Sequence, residues 1–114
     1  PITTDAAGDA TAYSETVTGR VLQVRYVKTD FANGVDFVVT AEATGETIWD
    51  EDNVNASATR APRQATHDTV GVASVYAAGG AAVNDHIALA NDRIKVVVAS
   101  GGDTKTGIVY ALIG

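Results

Sequence analysis

The chain contains no cysteine and no methionine, only two prolines, and few aromatics: one Trp, two Phe and four Tyr. Without thiols there is no disulfide framework and no thiolate metal site, and an unstapled domain of this size is expected to fold in a reducing cytoplasm. No apolar run approaches the ~18 residues of a membrane-spanning helix. Pro1 is not followed by the basic and apolar regions of a secretion signal, so the expectation is a soluble, cytosolically made protein whose initiator Met is removed. Basic residues are scarce. Eight Lys and Arg against 14 Asp and Glu leave a net charge of −6, and the resulting field repels phosphate backbones and anionic lipids. Nucleic acid and membrane surfaces are therefore not expected as direct partners.

What is present is apolar and small. Hydrophobic residues make up 46% of the 114 positions and charged residues 19%, which places the chain among globular proteins and sizes it as one domain. The apolar share leans on Ala and Val. A core of small side chains is thin, and such domains often complete their burial against a partner subunit.

The most legible stretch is residues 19 to 47. Leu22, Val24 and Tyr26 alternate on one face, Val35, Phe37 and Val39 on another, and Asn33-Gly34 lies between them. This pattern predicts a β-hairpin whose inner face is the centre of the core and whose outer face carries Arg20, Arg25 and Asp36. Ahead of it, residues 1–12 are small, polar and aperiodic, which predicts a flexible arm; Tyr13-Ser14-Glu15 reads as a short strand. After it, Glu46 to Asp50 reads as a short strand with Ile48 and Trp49 on opposite faces. Residues 55–59 read as an edge strand ended by Pro62. From Gln64 to Asp85 the pattern dissolves, with Val72 to Ala78 either a short helix stopped by Gly79-Gly80 or a Gly/Ala-rich excursion. Ile87-Ala88-Leu89 predicts another short strand. Residues 93–99 and 107–113 then predict a second hairpin, largely apolar on both faces. The sum is roughly seven or eight short strands and no amphipathic helix. The fold class is all-β: a single antiparallel β-sandwich, jelly-roll-like or immunoglobulin-like, over residues 13–114 with a flexible N-terminal arm.

Chemistry is harder to find. His67 precedes Asp68 and His86 follows Asp85, but no G-x-S-x-G accompanies them, and Ser74 and Ser100 sit in Ala/Gly surroundings. Two His without a third ligand at helical or hairpin spacing make a weak zinc signal. Asp50 to Asn55 is rich in oxygen ligands yet misses the calcium-loop spacing, having neither the Gly of the sharp turn nor a closing Glu. GGDTKTG at residues 101–107 is followed by a strand instead of the helix a phosphate loop requires. No catalytic residue, cofactor or metal ligand is expected. Arg60 and Arg63 flank Pro62 in an acidic chain and suit bidentate pairing with carboxylates on another chain, the alternative being a solvated strand end. Trp49 reads as a core-capping aromatic or an interface residue. With Tyr76 and the two His, these make the candidate partner contacts: Trp49, Arg60, Arg63, His67, Tyr76 and His86.

Several runs together carry a resemblance. They are Gly19-Arg20-Val21-Leu22 with Arg25-Tyr26-Val27-Lys28, Asn33-Gly34-Val35-Asp36-Phe37 with Thr40, Asn53-Val54-Asn55-Ala56 with Pro62-Arg63, and Arg93-Ile94-Lys95-Val96 with Gly101-Gly102 and Thr106-Gly107. In this combination the chain resembles small β-rich virion structural proteins of tailed bacteriophages. The resemblance implies a non-enzymatic protein, made in the host cytoplasm and carried in the virion as a homo-oligomer. Its leading expectation is a decoration or cement protein bound to the major capsid protein; a head–tail connector, neck or tail component is the alternative. A carbohydrate-binding module is more distant. The resemblance further implies that the arm 1–12 and the loop 64–85 make the contacts.

Overall fold

A computed structural model describes residues 1–114 as an all-β protein of eight antiparallel strands without a helix. They are β1 (Ile2–Thr3), β2 (Ala10–Lys28), β3 (Val35–Ala41), β4 (Thr47–Val54), β5 (Ala58–Arg60), β6 (Arg63–Ala65), β7 (Asn84–Ala99) and β8 (Thr106–Ile113). The main path runs β1-β8-β2-β7-β3-β4, with β5 beside β2 and β6 beside β7.

Two long strands replace several short ones. The expected strand at Tyr13 and the first strand of the expected hairpin are a single element, β2, of 19 residues. Its first half pairs with β7 (Ala10↔Val98 to Val21↔Ile87), and its second half pairs with β8 (Val21↔Ile113 to Lys28↔Gly107). The two pairings overlap at Val21, between register shifts at Val17/Gly19 and Val21/Gln23, and the nearby Gly19 has a φ of 146° that lies outside the range comfortable for side chains. The strands expected at 87–89 and 93–99 are likewise one element, β7.

Neither expected hairpin forms. β7 lies between β2 and β3, and β2 lies between β7 and β8. The chain at residues 29–34 does not double back. Phe31 is drawn into the core at 1% exposure, while Asp30 N donates to the Thr106 carbonyl and Ala32 N to the Gly101 carbonyl. Alternation tells which face of a strand is buried and is silent about its neighbour. The arm differs too: residues 2–3 pair with β8, residues 10–12 belong to β2, and Thr4 is buried with its hydroxyl donating to the Gly102 carbonyl at 2.6 Å. A buried hydroxyl with a partner anchors backbone that composition alone reads as loose.

The strands pack around one core of 16 residues. Phe37 is its hub, with ring centroids 4.6 Å from Tyr26, 4.8 Å from Trp49 and 6.2 Å from Phe31. Val24, Tyr26, Val35, Phe37 and Val39 are buried as the alternation requires, and Arg20 and Arg25 point outward. Leu22 is only half-buried, because a bulge between Val21 and Gln23 puts Val21 in its place. A bulge also governs β4. The register slips between Val39↔Trp49 and Thr40↔Thr47, so Ile48 and Trp49 both turn inward instead of lying on opposite faces.

One core group is imperfectly matched. The Tyr26 hydroxyl is buried without a hydrogen-bond partner, and burial raises the phenol's pKa. Tyr26→Phe is therefore expected to leave the protein as stable or to stabilise it by up to about 1 kcal/mol in urea titration. A loss of more than about 1 kcal/mol would show that the hydroxyl is satisfied.

Candidate assembly surface

Residues 61–86 form a projection from the sheet. It starts with Arg63↔His86, Gln64↔Asp85 and Ala65↔Asn84, and continues through isolated bridges His67↔Ala73 and Val75↔Ala82. Two tight turns close it. At the first, the Asp68 carboxylate accepts from Val70 N and Val72 N at 2.9 and 3.0 Å, which holds its pKa below the ordinary carboxylate value. At the second, Gly80 N donates to the Ala77 carbonyl at 2.7 Å. Between the turns, Thr66, Ser74 and Val83 interlock through backbone bonds of 2.8–3.0 Å. Val72 to Ala78 is therefore extended chain and turn, not a helix. The side chains there are too small or too short to build a helical apolar face, and the backbone is satisfied by neighbouring strand segments.

No residue from 61 to 86 is buried, yet Val70, Val72, Val75 and Tyr76 are 80%, 61%, 43% and 76% exposed. The molecule is correspondingly long, 48 × 28 × 21 Å, with a radius of gyration of 15.6 Å against about 13 Å for a compact domain of this length.

The structure divides the candidate contact residues into two groups. Arg63, His67, Tyr76 and His86 lie on the projection. Arg63 makes only backbone contacts, its Nη1 donating to the Pro62 carbonyl at 3.1 Å, so its charge has no carboxylate partner. His86 is half-buried at the root, with Nδ1 buried and unpaired. Trp49 and Arg60 lie elsewhere and meet at Glu51. Arg60 clamps that carboxylate through Nε and Nη2 at 2.8 and 2.9 Å, and Trp49 Nε1 donates to it at 3.1 Å. Hydrogen bonds from Arg60 and Trp49 lower the Glu51 pKa, and Glu51 raises that of Arg60. This pair is saturated within the chain, and Trp49 is 6% exposed.

Other features of the surface escaped the sequence reading. Tyr110 and Leu112 on β8 are each 54% exposed and Tyr13 is 47% exposed. Beneath β8 an open, mainly apolar groove of about 290 Å³ lies between Ile2, Tyr13, Val17, Val109, Ala111 and Ile113. The signal is the wholly uncharged run from Thr106 to Gly114, whose two apolar faces fit either a central strand or one covered by another subunit. No three His, Asp or Glu side chains gather in a metal-binding arrangement. Asp50 to Asn55 is divided among strand tasks instead: Glu51 holds Arg60, and the Asn55 side chain accepts from Gly34 N at 2.7 Å.

No protein-family model matches the chain, and a search of curated proteins finds no significant relative.

Proposed function

We propose that this chain is a non-enzymatic structural protein of a tailed-bacteriophage virion. In this reading it is a head decoration or cement protein that acts in many symmetric copies bound to the major capsid protein. The antiparallel sheet is read as a β-sandwich of jelly-roll-like or immunoglobulin-like outline. The observation that carries the proposal is the projection 61–86: four large apolar side chains held in water on a backbone too well hydrogen-bonded to collapse. Exposed apolar groups concentrated on one protrusion mark a protein contact. Arg63, with no carboxylate partner of its own, adds a positive point for an acidic neighbour. A carbohydrate platform is disfavoured, since the only Trp lies under the sheet.

The test is cosedimentation of the purified protein with heads of the phage that encodes it, followed by its location in an electron-microscopy map. Density on the shell supports the decoration role. Density confined to the neck or tail replaces it with the alternative, and absence from the particle ends the virion reading. The double variant Val72→Ser/Tyr76→Ser should weaken head binding by about tenfold or more. Its melting midpoint should stay unchanged, because neither residue is part of the core. Full binding by this variant would move the contact off the projection.

A further inference from the structure

The main path of the sheet ends in two unlike edges, while β5 and β6, three residues each, pair with one neighbour apiece and form only short edges. At one end β4 carries Asp50, Glu51 and Asp52 and pairs irregularly with β3. Charges and bulges of this kind keep an edge from recruiting another strand. At the other end β1 covers β8 only at Thr106 and Gly107. Beyond that point β8 continues to Ile113 without a charge, a proline or a bulge of its own. Backbone polar groups alternate sides along a strand. Gly114 exchanges both its bonds with Arg20 at 2.9 Å, which turns the polar groups of Leu112, Tyr110 and Ile108 toward β2. Those of Val109, Ala111 and Ile113 therefore point to the open edge.

We propose that a second copy of this chain pairs with β8, antiparallel and isologous, about a two-fold axis at Ala111. The occupant follows from charge and from register. Two molecules of net charge −6 repel, and β8 is the longest edge without a charge, where they can meet without opposing carboxylates; β5 and β6 are three residues long and each carries an Arg. An axis at Tyr110 would set Ile113 of the second copy against Gly107, a position already paired with Ile2. An axis at Ala111 leaves Gly107 to Ile2 and sets Val109 opposite Ile113 of the other copy. It forms about six backbone hydrogen bonds through the groups left pointing outward. It also places each half-exposed Tyr110 across from the Leu112 of its mate, an aromatic–aliphatic cross-strand pair. The sheet then runs through both copies. The inference rests on the assembly reading for its biological use, while its geometry stands on β8 alone.

Sedimentation of the full chain tests it, with a dimer expected at about 100 µM. Ala111→Pro removes an N–H that β2 does not use and should weaken dimerisation by about tenfold or more. Tyr110→Lys/Leu112→Lys, both at exposed positions, should do the same through like charges placed opposite. Register is read independently by single cysteines in this otherwise thiol-free chain. Ala111→Cys should oxidise to a covalent dimer, since residues on the axis approach within disulfide reach. Val109→Cys, displaced from its own mate, should not. A monomeric wild type, a dimer indifferent to the β8 variants, or equal crosslinking at 109 and 111 overturns the pairing. A wild-type monomer that still binds heads sinks the pairing alone; a β8 dimer that binds no particle sinks the assembly reading alone.

Discussion

Phe37→Ala is expected to lower the unfolding free energy by about 4 kcal/mol, within the range for emptying a buried aromatic site. Phe37 is fully buried and stacks on Trp49 with ring planes 16° apart, while Tyr26 on β2 tilts against it. The aromatic contacts add to the transfer term, each worth about 1 kcal/mol beyond area. The remaining lining is mostly valine on paired strands, which cannot shift to fill the space. Since domains of this kind are stable by only about 5–15 kcal/mol, the variant should be close to unfolded at 37 °C. Urea titration followed by Trp49 fluorescence measures the loss. Val38→Ala, on the opposite face of the same strand and 36% exposed, should change stability by less than about 0.5 kcal/mol. A Phe37→Ala loss below about 1.5 kcal/mol would mean that the core does not depend on this aromatic cluster.

Gly107→Ala should cost about 2 kcal/mol, a large penalty for one methyl group. A Cβ at that position would stand 2.4 and 2.5 Å from Cε2 and Cδ2 of Phe31. The backbone cannot retreat, because Gly107 is paired with Ile2 on one side and Lys28 on the other. Phe31 cannot retreat either, since it packs against Tyr26 and Phe37 at centroid distances of 6.1 and 6.2 Å. The clash is local to these two residues. Phe31→Leu in the same chain should therefore make Gly107→Ala nearly free, and the double variant should lose less than the sum of the single losses by about 1 kcal/mol or more. Strict additivity would place the strain elsewhere.

Much of the architecture was legible because it depends on a residue and its own strand. The inward set Val24, Tyr26, Val35, Phe37 and Val39 follows from period-two alternation, and so does the apolar character of β7. The misses have one cause apiece. Leu22 and Trp49 changed face through bulges, which shift phase without a composition signal. The arm was ordered by Thr4 and the Gly102 carbonyl, a bond between residues 98 positions apart. The projection was legible as an aperiodic stretch suited to contacts, but its two-turn form depends on the Asp68 carboxylate and on backbone bonds among Thr66, Ser74 and Val83. Of the candidate contact residues, Arg60 is paired within the chain by Glu51, which lies on a different strand.

The sequence by itself determined an antiparallel β protein with a valine-rich core and a net negative charge. These properties are set by local alternation and by composition. Tertiary structure alone decided which strands are neighbours, and with that which edge stays open. Hydrogen-bonding groups are the same along every backbone, so pairing order is chosen by whichever arrangement buries Phe31, Phe37 and Trp49 together. That choice sends β7 between β2 and β3 and leaves the uncharged strand β8 at the border of the sheet.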